Sequence, residues 1–436
     1  MACISLDLQQ RKHLTSMIAV QYRKSISRYL ALRAVGRRLP GQYTGLLAMV
    51  SARDLPEPIL PTPNWVRVRP SLSGICGSDL ATICAKGTPY FSPLTSTPFV
   101  LGHEVVGRVT EVGAGARRFS VGDRVVIQPA LGCRVRGIEK LCDACAVGQL
   151  ALCRNVTRGD ISAGIQTGFC RDTGGAWSES LVAHESQLYL VPDSIDDTAA
   201  VLTEPLACAI HAVQRSRKLR PPSSPQHAAL VMGCGAIGLL VIAALRALGR
   251  PLRIVALAKY PHQADFARRF GADEVLMYDR DVKRRHQALS QALGAELYQP
   301  EIGKPTVIGG AAVTFDCVAS SASIDDACRF TTARGEFVLV GMPAVPKNID
   351  WTSIWYKELS VKAAYAYGVE MHNGKKRATF ELALDMLAKC GDDLRPLVGE
   401  PFALQDYKQA IQTALHTGTT GSIKTVFRVR AGQGEI

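Results

Sequence analysis

Acidic residues are scarce in the N-terminal forty residues of this sequence. The same residues lack the unbroken apolar segment of a secretory signal. The chain of 436 residues has 38 Asp and Glu against 51 Lys and Arg, a net charge of +13 with histidine neutral. Residues 1–40 hold eight basic residues and one acid, Asp7, so they carry +7 and the other 396 residues carry +6. A positive excess is typical of proteins that bind nucleic acid or anionic membranes. Because more than half of it lies in one short segment, the excess does not favour a nucleic-acid partner.

The basic segment has several interpretations. Its apolar residues are scattered and no convincing cleavage site follows, which argues against a secretory signal, whereas the scarcity of acids fits a transit peptide. A targeting segment, an oligomer contact and an overlong start, with Met17 as a second start, remain open. We expect a basic N-terminal extension on the surface over residues 1–40, with residues 1–16 disordered or outside the native reading frame.

One segment is apolar enough to resemble a membrane span. Residues 228–245 contain no charge over 18 positions, which is about the minimum for a spanning helix. Three glycines interrupt the run where a strand would end and a helix begin, so we expect no membrane partner. The thirteen cysteines are an odd number in a chain without a secretory signal. We therefore expect no full disulfide framework and a reducing, cytoplasmic location.

Two rhythms divide the sequence. From about residue 40 to 200 the chain is rich in Gly, Pro and β-branched residues with short alternating runs, which predicts strands. From about 205 to 345 apolar strands alternate with amphipathic helices, which predicts a parallel, doubly wound sheet. The last seventy or so residues return to a mixed pattern. The predicted fold class is therefore α/β, with a mostly-β region beside a doubly wound parallel sheet.

A glycine-rich turn follows the first strand of the second region. Residues 228–232 are apolar, and a Gly-x-Gly-x-x-Gly pattern then leads into a helix. In this context the glycines permit a tight turn, close approach of the backbone to a pyrophosphate, and close packing of helix on strand. A glycine-rich turn without a ligand is the alternative. The predicted cofactor-binding residues of this turn are Gly233, Gly235, Ala236, Ile237 and Gly238.

The end of the second strand bears on the choice of nucleotide. An acidic residue at this point would bind the ribose 2′-hydroxyl of NAD, but the chain has Ala258, followed by Lys259 and Tyr260, with His262 close by. A cation without a carboxylate suits a 2′-phosphate, so we expect NADP(H) to be preferred over NAD(H). The alternative is that Lys259 points into solvent and NAD is still accepted.

Residue types that bind metals recur at three places. Cys76 and Ser78 precede His103 and Glu104 by about 25 residues, and Glu204 follows about a hundred residues later. Cys, His and Glu all suit zinc, and a catalytic zinc needs three protein ligands plus one open position. Each of these residues alone would be interpreted as structural. Their combination indicates a catalytic metal site.

Together with a cysteine-rich segment and the dinucleotide turn, these motifs resemble the zinc-dependent medium-chain alcohol dehydrogenase family over roughly residues 45–430. The Glu-Pro-Leu run that begins at Glu204 is similar to the sorbitol, threonine and glucose dehydrogenase branches. The resemblance implies hydride transfer between a nicotinamide cofactor and a small primary or secondary alcohol or carbonyl compound, such as a polyol, sugar or hydroxy-amino acid. It also implies Cys76, His103 and Glu204 as catalytic zinc ligands, Glu104 as their neighbour or an exchanging ligand, and a homodimer or homotetramer.

The resemblance further implies how the chain is divided. The expected segments are the extension 1–40, a GroES-like catalytic domain over 41–205 with a structural-zinc lobe at 133–153, a Rossmann cofactor domain over 206–364, and residues 365–436, which complete the catalytic domain.

The cysteine cluster departs from the family's spacing. Cys142, Cys145 and Cys153 match the last three positions of the structural-zinc lobe, but eight residues separate Cys133 from Cys142 where the family has two. Glu139 occupies the usual place. A longer loop can still deliver Cys133 at little entropic cost, so we expect a zinc held by four thiolates. Three thiolates with Glu139, or a lobe without metal, are the alternatives.

The proposed chemistry leaves one step incomplete. Bound zinc would act as a Lewis acid, and Ser78 is placed to take the proton of the substrate oxygen. Related enzymes continue the relay through a histidine three residues further on, where this chain has Ala81, so the proton must leave by another route. A zinc-independent quinone or enoyl reductase, which would not need Cys76, His103 and Glu204, is one rival. A non-catalytic zinc and nucleotide-binding protein is another, although its expected loss of Cys76, His103 or Ser78 is not seen.

Overall fold

The computed structural model describes residues 16–216 and 228–429. The strands of these residues are β1 Ser16–Tyr22, β2 Val50–Pro56, β3 Trp65–Gly74, β4 Phe99–Val100, β5 Glu104–Val112, β6 Arg124–Ile127, β7 Leu181–His184, β8 Leu188–Leu190, β9 Ala228–Met232, β10 Arg253–Ala258, β11 Glu274–Met277, β12 Glu296–Tyr298, β13 Thr306–Ile308, β14 Ala311–Asp316, β15 Thr331–Leu339, β16 Ser360–Ala363, β17 Val369–His372, β18 Lys375–Ala378, β19 Phe402–Ala403 and β20 Val426–Arg428. The α-helices are α1 Ile26–Val35, α2 Gly77–Ile83, α3 Asp143–Ala146, α4 Asp197–Ala200, α5 Thr203–Arg215, α6 Ala236–Ala247, α7 Pro261–Arg269, α8 Val282–Leu293, α9 Ser321–Phe330, α10 Thr352–Tyr356, α11 Thr379–Leu394, α12 Tyr407–Leu415 and α13 Thr417–Thr420.

A seven-stranded sheet forms the β-rich part of the molecule. Its order is β19-β20-β3-β5-β6-β8, with β7 also paired to β3. Valines of β3, β5 and β6, including Val66, Val105 and Val125, pack into one buried core, because β-branched side chains fit a half-buried pleated surface. Antiparallel pairing sets Gly74 opposite Glu104. The sheet therefore brings the chain just before Cys76 alongside the chain just after His103.

The C-terminal part of the described chain returns to this sheet. Strand β20 pairs antiparallel with β3, with Val426 opposite Gly74. Lys424 thereby reaches the same end of β3 as Glu104.

The second half of the chain is built on a parallel sheet of six strands. Their order is β11-β10-β9-β14-β15-β16, and every pairing is parallel. The chain starts at a central strand and winds to both sides, which is the doubly wound arrangement of dinucleotide-binding domains. Leu230 and Met232 of β9 face one apolar core, whereas Ala229 and Val231 face another. Both faces of the sheet are therefore covered, as an all-parallel sheet requires, and the predicted α/β class is confirmed.

The described part of residues 1–40 differs from the surface extension that the sequence predicted. Strand β1 pairs with β2 and β4 in a three-stranded sheet, and Ala19 and Val20 are fully buried. The short apolar run Met17–Val20 explains this burial, since it supplies side chains for a strand inside a segment that is basic as a whole. All six described basic residues of this segment lie in the connection from β1 to β2, which contains α1. The predictions for residues 1–15 lie outside the described residues.

The uncharged run at 228–245 is divided between β9 and α6. Among the helices of residues 16–216 and 228–429, none combines the length and the hydropathy needed to cross a bilayer.

Candidate active site

One carboxylate orients two of the predicted metal ligands. Helix α2 begins directly after Cys76, and the Asp79 carboxylate accepts a hydrogen bond of 3.0 Å from the backbone amide of Cys76, as in a capping box. The other oxygen of Asp79 lies 3.5 Å from Nδ1 of His103. Asp79 is fully buried and His103 nearly so. A carboxylate against Nδ1 leaves Nε2 as the ligating nitrogen of the imidazole.

Ser78 lies on the Nε2 side of the same imidazole. Its Oγ is 3.5 Å from Nε2 of His103, and it occupies the first turn of α2. The predicted proton-accepting hydroxyl is therefore next to the predicted ligand atom. Ala81 lies one turn further along α2 and offers no titratable group.

Glu104 is held in a buried ion pair that the sequence did not indicate. Its carboxylate pairs with the ammonium of Lys424, which also donates to the carbonyl of Ile75 at 3.1 Å. A Cβ on Gly74 would lie 1.9 Å from Oε2 of Glu104, so only glycine leaves room for this carboxylate. Although burial lowers the pKa of Lys424, the charges of Glu104 and Cys76 raise it above its ordinary value, which keeps the ammonium charged.

Three predicted ligands form a compact cluster, and the fourth lies beside it. The Cys76 thiol, one nitrogen of His103 and one oxygen of Glu104 all lie within 4.8 Å of one another. Glu204, in the first turn of α5, is 7% exposed and falls outside that group. Burial raises the pKa of Glu204 to about 7, against the opposing charge of His103 and with added repulsion from Glu104.

The chemistry of this cluster fits a zinc ion. A thiol, an imidazole and carboxylates are the donors that zinc takes in catalytic sites. Although burial lowers the pKa of His103, the charge of Asp79 raises it well above its ordinary value. The surroundings of His103 are therefore strongly negative. A divalent cation bound at Nε2 would be stabilised by the same negative charges that otherwise favour a protonated imidazole.

The cysteine lobe brings all four of its thiols together. The sulfur atoms of Cys133, Cys142, Cys145 and Cys153 lie within 4.8 Å of one another, and those of Cys133 and Cys153 are 3.6 Å apart. Glu139 is exposed and does not belong to this group. The long gap after Cys133 therefore does not keep its thiol from the other three.

Amide hydrogens surround these sulfur atoms. The Asn155 side chain donates to Cys133 at 3.3 Å, and its backbone amide donates to Cys153 at 3.3 Å. The hydrogen bond from the Cys145 thiol lowers the pKa of Cys153 to about 5, with help from the Asn155 amide. Such donors stabilise negative charge on sulfur, and four thiolates fit a structural zinc.

The inserted residues between Cys133 and Cys142 carry an anchor that the sequence gave no reason to expect. Arg136 is fully buried and donates to the carbonyls of Leu131, Ile161 and Gly164, at 2.6 to 3.1 Å. Because these carbonyls lie on both sides of the lobe, the guanidinium fixes the inserted loop to its surroundings.

The glycine-rich turn has the geometry expected of a dinucleotide site. Gly233 follows β9 with φ of +90°, a conformation that favours glycine. A Cβ on Gly238 would lie 1.8 Å from the carbonyl oxygen of Gly233, so helix α6 can approach the strand only with glycine there. Gly235 precedes α6 and is exposed, and Ala236 and Ile237 form its first turn. The helix N-terminus is thus open to an anion.

The end of β10 presents a basic and aromatic corner. Ala258 is fully buried, and its methyl side chain offers a ribose hydroxyl neither a carboxylate nor a hydrogen-bond donor. The ammonium of exposed Lys259 lies 5.2 Å from the centre of the Tyr260 ring, and Tyr260 stacks on His262 with ring centres 5.7 Å apart. Nε2 of His262 is buried and has no hydrogen-bond partner among the described residues.

Known families match both halves of the chain. The family described as alcohol dehydrogenase GroES-like domain matches residues 62–193, and the zinc-binding dehydrogenase family matches residues 236–389. The chain is 27% identical over 375 residues to L-idonate 5-dehydrogenase of Vitis vinifera, covering 85% of this chain and 90% of that protein. It is also 27% identical over 374 residues to sorbitol dehydrogenase of Bacillus subtilis, covering 84% and 92%.

A solved structure of a dehydrogenase is similar to this chain in fold. The crystal structure of 2R,3R-butanediol dehydrogenase from Bacillus subtilis is similar with a TM-score of 0.68 and 25% identity, over 95% of this chain and all of that one. The two family matches and these full-length similarities agree with the metal and nucleotide geometry. The chain therefore belongs to the zinc-dependent medium-chain alcohol dehydrogenase family, and it is an oxidoreductase that uses zinc and a nicotinamide cofactor on alcohols or carbonyl compounds.

Proposed function

We propose that this enzyme interconverts a hydroxyl and a carbonyl group on a polyol, sugar or hydroxy acid, at the cluster of Cys76, His103 and Glu104, with Glu204 beside it. The observation that carries this proposal is the convergence of a thiol, an imidazole and a carboxylate within 4.8 Å. The substrate class is inferred from relatives that are named as idonate, sorbitol and xylulose enzymes. A zinc-independent reductase would have no use for this buried set of ligands.

In this proposal the protein holds the metal and moves one proton. Cys76, His103 and Glu204 are the zinc ligands, and Glu104, paired with Lys424, balances charge beside them or exchanges onto the metal. When bound, zinc acts as a Lewis acid on the substrate oxygen, and the nicotinamide carries the hydride. Ser78 Oγ takes the proton of the substrate hydroxyl. Ala81, one turn further along α2, has no titratable group, so the proton that Ser78 Oγ accepts would have to leave by a route other than a histidine at this position.

We further propose that NADP(H) is preferred over NAD(H). Ala258 offers no carboxylate to a ribose 2′-hydroxyl, whereas the charge of Lys259 and the buried free nitrogen of His262 would favour a 2′-phosphate. Titration with NADPH and NADH should show tighter binding of NADPH. Lys259→Asp should reduce that preference by roughly tenfold, about 1.4 kcal/mol, and Lys408→Asp on the exposed face of α12 is the charge-matched control. Equal affinity of the native enzyme for both cofactors would contradict the assignment.

The domain division and the assembly follow the same proposal. We propose that the catalytic domain includes β1 as well as residues 41–205 and 365–436, and that the cofactor domain at 206–364 lies between these two segments. Strand β16 lies at one edge of the parallel sheet. Val361 on this strand, and Trp351 and Trp355 before it in the chain, are 46 to 69% exposed. Unpaired edges and apolar patches favour association, so we infer a homodimer through this edge. The cytoplasmic location stays a prediction.

A direct test combines metal analysis with a substrate panel. The purified chain should contain up to two zinc ions, and it should oxidise polyols or reduce the matching ketoses with one of the two nicotinamide cofactors. A pure, folded protein that binds no zinc, or that turns over only quinones or enoyl compounds, would overturn the proposal.

A further inference from the structure

The connection between β1 and β2 is basic throughout. Residues 23–49 contain six Lys and Arg and no Asp or Glu, and α1 lies within them. None of the six forms an ion pair with an acid among residues 16–216 and 228–429. Arg28 donates to the carbonyl of Ala48 at 2.8 Å, and Arg33 donates to the hydroxyl of Tyr29 at 3.2 Å, so both acceptors are neutral. The concentrated positive charge therefore produces a positive potential at this surface.

Helix α1 is apolar on two opposite faces. Leu32 is buried and belongs to the same core as Tyr43. Ile26 and Leu30, which are four residues apart and therefore share a face of the helix, are 71% and 60% exposed. Leu30 and Leu32 are two residues apart, a rotation of about 200° around the helix, so the two faces point in nearly opposite directions. The outward face would gain free energy by burial against an apolar phase.

Hydrogen bonds fix α1 and the chain that follows it to two other helices of the molecule. The hydroxyl of Tyr29 donates to the carbonyl of Gly87 at 2.7 Å, shortly after α2. The side chain of Gln412 in α12 donates to the hydroxyl of Thr44 at 3.2 Å. The apolar face is therefore directed outward before any partner binds, and such preorganisation lowers the entropic cost of association.

A basic hollow borders the outward face. It is open, with a volume of about 460 Å³, and Arg33, Arg37, Lys86 and His416 contribute to its lining. No Asp or Glu is among the described residues that line it. Because Arg33 lies one turn after Leu30, the hollow adjoins the exposed aliphatic side chains. Guanidinium and ammonium groups in this arrangement suit the phosphate or carboxylate of an anionic group.

We propose that residues 23–49 bind the surface of an anionic lipid bilayer, with the outward face of α1 at the boundary of headgroups and acyl chains and the flanking cations on lipid phosphates. Interfacial helices combine aliphatic residues on one face with Lys and Arg beside them in this way. Nucleic acid would match the charge but would have no use for exposed aliphatic side chains, since its bases stack on aromatic rings. Binding at a surface needs no spanning helix, whereas the prediction of no membrane partner rested only on the lack of a span.

Sedimentation with lipid vesicles tests the proposal. The full-length, zinc-loaded enzyme is mixed with vesicles of phosphatidylcholine, either pure or with about one third phosphatidylserine, at an ionic strength of about 0.1 M. It should sediment with the anionic vesicles and remain in the supernatant with the neutral ones. Raising the ionic strength to about 1 M should release most of the bound enzyme, because salt screens the attraction between the cations and the lipids.

A pair of charge variants locates the binding surface. The double substitution Arg33→Gln and Arg37→Gln should reduce the partition coefficient onto anionic vesicles by roughly tenfold or more, because each cation near an anionic surface adds to the binding free energy. Lys375→Gln with Lys376→Gln removes the same charge from the exposed strand β18 and should change the coefficient by less than about twofold. An equal loss in the two double variants would overturn the assignment to residues 23–49.

A pair of apolar variants separates a bilayer from other anionic partners. Leu30→Ser should reduce the partition coefficient roughly fivefold, because its side chain would no longer be buried among acyl chains. Ile302→Ser, at a position between β12 and β13 that is 91% exposed, should leave the coefficient unchanged. The melting temperature of each variant should match that of the native enzyme, which shows that the fold is retained.

Three results would overturn the inference: no sedimentation with anionic vesicles, equal sedimentation with neutral ones, or a harmless Leu30→Ser. If Leu30→Ser is harmless and a single-stranded RNA oligomer binds the native enzyme but not the Arg33 and Arg37 double variant, the cations would be assigned to nucleic acid instead. Oxidation of polyols is measured without vesicles, so failure of this inference would leave the proposed function intact.

Discussion

The two clusters of candidate zinc ligands differ in what holds them. The cysteine lobe is local, with four thiols from residues 133–153 surrounded by backbone and side-chain amides. The catalytic cluster is assembled from distant parts of the chain, and charged groups surround it: Asp79 behind His103, and Lys424 against Glu104. Four thiolates fill all coordination positions of a structural zinc, whereas a catalytic zinc has three protein ligands of mixed type and one open position for water or substrate. One cluster should therefore govern stability and the other turnover.

The largest effect should come from the catalytic cluster. Cys76→Ser removes the thiolate ligand, so kcat/KM should fall by roughly a thousandfold or more, which corresponds to about 4 kcal/mol of transition-state stabilisation. Metal analysis should show loss of one zinc ion while the other is retained. Binding of the nicotinamide cofactor should persist, because the turn at Gly233 belongs to a different sheet. Steady-state kinetics and cofactor titration make the measurement.

The matched control for this change is Cys390→Ser. That thiol is partly buried in α11 and donates to the carbonyl of Met386, which a serine hydroxyl can also do. Its kinetics should be unchanged. Full activity of Cys76→Ser would contradict the assigned role of the thiol and with it the contrast between the two clusters.

The next largest effect should come from the cysteine lobe and should appear in stability. Cys133→Ser leaves three thiolates, so the lobe zinc should be weakened or lost and the free energy of unfolding should fall by about 3 kcal/mol or more. While the protein stays folded, kcat/KM should change by no more than a few fold. Denaturation monitored by circular dichroism, with zinc analysis of the folded fraction, makes the measurement.

Glu139 decides between the two ligand sets considered for this lobe. Its side chain is exposed and outside the group of four thiols, so Glu139→Gln should shift the free energy of unfolding by less than about 0.5 kcal/mol. A large loss in Glu139→Gln together with a harmless Cys133→Ser would instead support three thiolates and a carboxylate.

Sequence reasoning could identify the ligands but not the groups that orient them. Cys76 and His103 were predicted from residue type and spacing, and the structure brings them together. Lys424 could not be predicted, because its position depends on the pairing of β20 with β3, and nothing local marks a lysine that ends beside Glu104. Arg136 was missed for a related reason, since arginine is rarely buried and its partners are carbonyls, which every residue has.

The N-terminal segment shows how composition can hide a strand. Averaged over forty residues, the basic charge dominates and suggests an exposed extension. The buried strand β1 depends on only a few apolar residues around Ala19 and Val20, and its partner β2 begins 28 residues after β1 ends. A pattern so short is distinguished only once its partner strands are known. The doubly wound sheet was easier to predict, because its strand and helix rhythm repeats several times.

A substitution that touches no ligand should separate the two clusters most cleanly. Asp79→Asn can keep an oxygen toward the Cys76 amide, but it then presents an NH₂ group to Nδ1 of His103 and forces the ring proton onto Nε2. The other amide orientation loses the Cys76 contact instead. Changes of this kind typically cost 10 to 100-fold in metal affinity, so mild chelation should remove the catalytic zinc from Asp79→Asn before the lobe zinc. Asp281→Asn, which preserves the N-cap of α8, should keep both ions. Equal retention of the two ions in Asp79→Asn would mean that the charged surroundings of the catalytic cluster do not hold its metal, and the contrast with the amide-lined lobe would then rest on the ligands alone.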